Sequence, residues 1–146
     1  MLNLLVVDDD KFEREGVRHL IGKFGFDLAV AEADSGESAL AHIGSHPVDI
    51  MLCDVRMTGM DGLQLAERVR ETNPDRPLKI IFMSAYGEFE YAQRAIDVRA
   101  IRYLLKPIQV TEFIKVISLA IQQCEEERME QAELKRMERA FLREAR

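Results

Sequence analysis

A chain of 146 residues is long enough to bury roughly two-thirds of its unfolded surface around one core, and short for two domains. Its 26 acidic residues against 20 basic ones give a formal charge of −6, which removes the electrostatic case for nucleic acid or an anionic membrane as a direct partner. Two distant cysteines, Cys53 and Cys124, form neither a disulfide framework nor a metal knuckle and point to a reducing, cytoplasmic setting.

Met1-Leu2-Asn3 leads straight into Leu4-Leu5-Val6-Val7. This run is too short to cross a bilayer and no basic stretch precedes it, so neither a signal peptide nor an anchor is expected. It is strand-length and lacks polar alternation, the pattern of a strand covered on both faces. A helix-like stretch follows over Lys11 to Lys23, then a weaker strand over Asp27 to Ala33 carried by Leu28, Val30 and Ala31. Ile50-Met51-Leu52-Cys53 reads as a third strand, Asp61-Gly62 as the capping signal of a helix over Gly62 to Thr72, and Ile80-Ile81-Phe82-Met83 as a fourth strand. Tyr103-Leu104-Leu105 supplies the fifth. Strand and helix therefore alternate five times, which predicts an α/β fold with right-handed crossovers and an open, doubly wound parallel sheet.

From Val110 the apolar residues Phe113, Ile114, Ile117, Ile121 and Cys124 follow helical spacing, and then the composition changes abruptly to a mostly charged tail. The expected division is a domain over residues 1–123 and a charged helical extension or linker over 124–146. Opposite charges lie three apart at Glu125/Arg128, Glu133/Arg136 and Lys135/Glu138, each pair worth only a few tenths of a kcal/mol. Leu134, Met137 and Phe141 repeat at spacings of three and four, a narrow seam of about two turns. A solvated extension and a dimerising or signal-transmitting helix both fit this pattern. Because a lone extended helix has no wall for such a seam, a short, weak coiled coil with a second chain is the hypothesis it suggests.

In open parallel sheets the functional crevice lies beyond the carboxyl ends of the strands. Asp8, Asp9 and Asp10 follow the first strand, Asp54 the third, Ser84 the fourth, and Lys106 with Pro107 the fifth. Singly, these residues could cap a helix, sit in a turn or end a strand. Together they gather carboxylates that repel by roughly 4 kcal/mol per close pair at an effective dielectric of 20. Hard carboxylate oxygens without His or Cys partners select Mg2+ or a similar cation. A carboxylate beside Mg2+ and a lysine can act as a nucleophile on phosphorus, a reaction that needs mainly positioning and charge stabilisation. Lys106 can supply the second positive charge and Ser84 a hydrogen bond to the transferred group.

Over Leu2 to Gln123 the chain resembles the receiver domain of bacterial two-component response regulators. The resemblance is carried by Leu5-Val6-Val7-Asp8-Asp9-Asp10, Cys53-Asp54-Val55-Arg56-Met57 with Gly59-Met60-Asp61-Gly62, Met83-Ser84-Ala85, and Tyr103-Leu104-Leu105-Lys106-Pro107. It implies a flavodoxin-like five-stranded sheet of order 2-1-3-4-5 and Asp54 as phosphoacceptor. It implies Asp9, Asp54 and the Arg56 backbone carbonyl as ligands of Mg2+, with Asp8 assisting. Lys106 would pair with the phosphate, Ser84 and Tyr103 would move together on activation, and the Lys106-Pro107 bond would be cis. The donor would be a sensor histidine kinase, and the switched surface the face of helix 4, strand 5 and helix 5. Arg56 and Tyr86 occupy positions that tune dephosphorylation in the family. Such a module is a phosphoacceptor that assists its own phosphorylation and dephosphorylation and turns over no metabolite. The run from Ser84 to Ala92 further resembles receivers attached to AraC-type helix-turn-helix domains, which would make this a piece of a transcription regulator touching DNA only through a domain outside this sequence. Three positions depart from the family: Thr58 replaces the usual Pro, Arg99 a common Gly after helix 4, and Arg102 a frequent Asp. If position 99 requires a left-handed backbone, a non-Gly residue there costs roughly 1 kcal/mol.

Two rival readings use the same sheet. An aspartate-nucleophile phosphatase of the haloacid dehalogenase type would pair Asp8 with Asp10. The expected Thr two residues later is Phe12, however, and Asp54 has no role. A flavodoxin-like cofactor carrier would need a Ser/Thr/Gly loop after the first strand, where three aspartates would repel a phosphate.

Overall fold

The apolar runs form the middle of a parallel sheet in the computed structural model of the chain. It describes residues 1–85 and 89–145, and the side chains of 89–92 lie outside that description, as does Tyr86. In chain order the elements are β1 (Leu2–Val7), α1 (Lys11–Lys23), β2 (Leu28–Ala33), α2 (Gly36–Ser45), β3 (Ile50–Asp54), α3 (Gly62–Thr72), β4 (Lys79–Ser84), α4 (Phe89–Asp97), β5 (Arg102–Leu105) and α5 (Val110–Glu144). The strand order is β2-β1-β3-β4-β5, all parallel, as the alternation of strands and helices requires.

Each strand sends successive side chains to opposite faces, so a run without polar residues builds two cores at once. Leu5, Val7, Met51, Cys53, Ile80 and Phe82 face α2, α3 and α4. Leu4, Val6, Ile50, Leu52, Ile81 and Met83 face α1 and α5. The three central strands are wholly buried from Leu4 to Val7, Ile50 to Cys53 and Ile80 to Met83.

Local signals set the helix starts. Asp10 caps α1 by accepting from the Phe12 amide, and Ser35 and Ser38 form a capping box on α2. Asp61 and Gln64 form another on α3, where the Asp61-Gly62 pair predicted it. Arg99 follows α4 with φ of 58°, the left-handed conformation the sequence put in question, and Lys106-Pro107 is cis.

The last helix runs unbroken across the 123/124 boundary, and its contacts with the domain continue to Arg128. Cys124 is buried and its thiol meets the Asp49 carbonyl oxygen at 3.8 Å. Glu127 pairs with Lys79 at the start of β4. Arg128 does not serve the expected pair with Glu125 but reaches the Asp49 carboxylate at 3.1 Å, while Glu133 and Arg136 do pair along the helix. Met129, Leu134, Met137, Phe141 and Leu142 are exposed. Among the described residues no helix is long and apolar enough to cross a membrane.

Candidate functional site

Parallel registers hold the strand ends level, with Asp54 opposite Met83 and Ser84 opposite Leu105. Asp54 and Ser84 are the last residues of their strands rather than the first beyond them, and both are buried, as is Asp8. One carboxylate oxygen from each of Asp8, Asp9 and Asp54 falls within 4.8 Å of the others. The ammonium of Lys106 donates to Asp8 Oδ2 at 2.9 Å and lies 3.6 Å from Asp54 Oδ2. Its backbone amide donates to the Ser84 carbonyl at 2.7 Å, tying β5's exit to β4.

One ammonium faces three carboxylates. Burial, and then the negative charge of Asp8, push the Asp54 carboxyl up to about 6; Lys106 and a hydrogen bond from the Arg56 backbone amide pull the other way, and Asp9 adds to the rise. Burial alone would lower the Lys106 ammonium, but the hydrogen bond to Asp8 and the charges of Asp8 and Asp54 outweigh it and hold its pKa above the ordinary value. The donor set is all oxygen and carries excess negative charge, which fits a small, hard divalent cation and no soft one.

Of the three consecutive aspartates, Asp10 alone stands outside the cluster. Its carboxylate is committed to the cap of α1, so it is not placed as the acid partner of Asp8 that a dehalogenase-type phosphatase requires. Asp9 is exposed and accepts from the Thr58 amide at 3.3 Å. A proline at position 58 would have no N–H to make that bond. Tyr103 is half-buried, packed at the edge of the α2–α4 core, and lines a cavity of about 250 Å3 with Leu105, Pro107 and Glu112.

Sequence reasoning missed why position 62 is glycine. The Gly62 amide donates to the Val55 carbonyl at 2.8 Å, and a Cβ there would collide with the Asp54 carbonyl oxygen. The first turn of α3 is thereby pressed against the end of β3. The Asp61-Gly62 pair was legible as a cap, whereas the close approach depends on the path of the loop between them. The Cys53 thiol donates to the same Asp54 carbonyl at 3.3 Å.

With this geometry, comparison with known proteins is direct. The family model of the response regulator receiver domain matches residues 4–118, and the chain belongs to that family. Over 120 residues it is 38% identical to the positive alginate biosynthesis regulatory protein of Pseudomonas aeruginosa, covering 82% of this chain and 47% of that protein. It is 33% identical to the transcriptional regulatory protein ZraR of Salmonella typhimurium over 120 residues, 82% of this chain and 26% of ZraR. The chain thus spans half or less of the length of these relatives. Among solved structures it is similar to a two component transcriptional regulator AraC from Clostridium phytofermentans, with a TM-score of 0.74 and 37% identity over 86% of this chain and 97% of that one. It is also similar to the Vibrio cholerae chemotaxis protein CheY4, with a TM-score of 0.75 and 26% identity over 82% and 98% of the two chains. The flavodoxin-like receiver fold expected from the motifs is the fold observed.

Proposed function

We propose that this chain is a cytoplasmic phosphoswitch in which Asp54 accepts a phosphoryl group from a phosphohistidine of a sensor histidine kinase. The observation that carries the reading is the Asp54 carboxylate at the end of β3, 3.6 Å from the Lys106 ammonium and clustered with Asp8 and Asp9. An Asp54 oxygen forms the bond to phosphorus as the phosphorus–nitrogen bond of the donor breaks, and the departing imidazole takes up a proton. Lys106 receives one phosphoryl oxygen by charge pairing, and the Ser84 hydroxyl donates to another. Asp9, Asp54 and the Arg56 carbonyl, with Asp8 assisting, would hold Mg2+, which when bound neutralises the charge of the phosphoryl oxygens. The product is an acyl phosphate on the protein itself, so the chain is a phosphoacceptor and no metabolite is turned over.

Phosphorylation is then read by Ser84 and Tyr103, and passed to the face of α4, β5 and α5. The output is transcription, through a DNA-binding domain that this sequence does not include, in keeping with the regulators it resembles. The exposed seam of Leu134, Met137 and Phe141 on α5 pairs with a second copy of the chain. Light scattering across a concentration series, with and without a beryllofluoride phosphate mimic, tests the pairing: a monomer throughout the high micromolar range removes it.

The central test is intact mass after treatment with acetyl phosphate and Mg2+. One phosphoryl group should be added to the wild type and none to Asp54→Asn. Modification mapped to another residue of the wild type would sink the assignment.

A further inference from the structure

At the end of the sheet opposite the carboxylates, basic residues gather around the start of β4. Arg70 from the last turn of α3, Arg76 and Lys79 at the entry to β4, and Arg99 after α4 wall a cleft of about 310 Å3, with Leu78 and Ile101 as apolar lining. Arg102 opens the neighbouring strand. Arg99 in the cleft wall and Arg102 three residues further on thus add positive charge near one another in a protein of net charge −6.

Each of the three cleft arginines is held by carbonyl oxygens rather than by an acid. Arg70 donates to the carbonyls of Val98 and Arg99 at 2.9 and 3.3 Å, Arg76 to those of Ile43 and His46 at 3.0 and 3.4 Å, and Arg99 to that of Pro74 at 3.5 Å. Asp75 and Glu127 also line the cleft, but among the described residues neither forms an ion pair with these three arginines. Carbonyls orient a guanidinium without neutralising it, and each guanidinium has five donors, so charge and donors remain for a ligand. Burial, and then the charge of Arg99, lower the pKa of Arg70, the cationic counterpart of the crowding among the aspartates. Arg99 stays in a left-handed conformation that a glycine would adopt without strain.

We propose that this cleft binds a compact anion bearing two or more phosphate groups, gripped by the guanidiniums of Arg70, Arg76 and Arg99. The proposal is independent of the phosphoacceptor reading. A compact ligand is favoured over a nucleic-acid strand because Asp75 and Glu127 also line the cleft and confine its positive charge to a small area. Guanidinium forks match paired phosphate oxygens, whereas Lys79 is already engaged by Glu127.

The full-length protein in EDTA, titrated with inorganic pyrophosphate at constant ionic strength while amide resonances are followed, tests this. Saturating shifts are expected at Leu78, Lys79, Ile101 and Arg102. Arg99→Gly removes a guanidinium and relieves its backbone strain, so the variant remains folded, and its dissociation constant should rise about tenfold. Arg76→Gln should weaken binding as well. Absence of saturation into the millimolar range, shifts confined to Asp54 and Lys106, or equal affinity in Arg99→Gly would each overturn the proposal.

Discussion

Arg99 has φ of 58°, and its side chain makes one long hydrogen bond to the Pro74 carbonyl at 3.5 Å. Glycine would adopt the same backbone without strain, so Arg99→Gly is expected to raise stability by about 0.5–1 kcal/mol, read as a higher urea midpoint at unchanged slope. A lower midpoint would mean the guanidinium holds the α3–α4 corner more strongly than its contacts indicate. Asp54 presents the opposite case, a residue whose charge opposes folding. Its carboxyl titrates at about 6 in the folded protein against an ordinary value of 3.8. Between those values the folded state binds more protons than the unfolded one, so stability falls as pH rises from about 4 to 6 and stays reduced above. In EDTA, Asp54→Asn should lack this component and be more stable than the wild type at pH 7 by about 2 kcal/mol. Urea unfolding at pH 4.5 and 7 checks both statements; equal pH profiles for the two proteins would refute them.

Among the elements, α5 is the one whose two halves obey different physics. From Phe113 to Cys124 it buries an apolar stripe against β1, β3 and β4, and burial accounts for its stability. Beyond Arg128 it has no wall, and only pairs such as Glu133–Arg136 support it. Between these lies an anchor at the amino-terminal ends of β3 and β4, formed by Cys124, Glu127–Lys79 and Arg128–Asp49. Asp49 is well held for this purpose, since its other carboxylate oxygen accepts from the Asn3 amide at 2.7 Å. At concentrations too low for the tails to pair, ending the chain after Gln131 should therefore change stability by less than about 0.5 kcal/mol. Ending it after Gln123 discards the anchor and should cost about 2 kcal/mol, most of it from the Cys124 burial and the smaller part from the half-exposed pairs. Thermal unfolding of the two truncations decides it, and equal losses would place the boundary earlier than the contacts do. Such an anchor gives the tail a fixed direction where it leaves the domain.

For the molecule as a whole, the proposed cation site formed by Asp8, Asp9 and Asp54 would be a source of stability absent from the unfolded chain. A ligand at a hundredfold excess over its dissociation constant stabilises by about 2.7 kcal/mol, so saturating Mg2+ should raise the thermal midpoint by roughly 10 °C. Asp9→Ala should lose most of that response; an undiminished response would place the cation elsewhere. Much of this architecture is legible in the amino-acid sequence. A strand covered on both faces writes itself as a continuous apolar run, and the parallel sheet that follows must expose its carboxyl ends together, which is enough to bring Asp8, Asp54, Ser84 and Lys106 to one rim. Caps are equally local, so Asp61 is readable as one. The division of labour among Asp8, Asp9 and Asp10 is not legible from the residues themselves, and only the family resemblance told Asp8 and Asp9 from Asp10. Three adjacent identical residues differ only in where the turn after β1 points them, toward Lys106, toward the Thr58 amide, or back onto α1. The partners of α5 are hidden for a related reason: Lys79 and Glu127 are 48 residues apart, and Asp49 and Arg128 are 79 apart. A periodic pattern reports which face of a helix is apolar, but the surface that meets it, and the charge that ends the contact, exist only once the whole sheet has assembled.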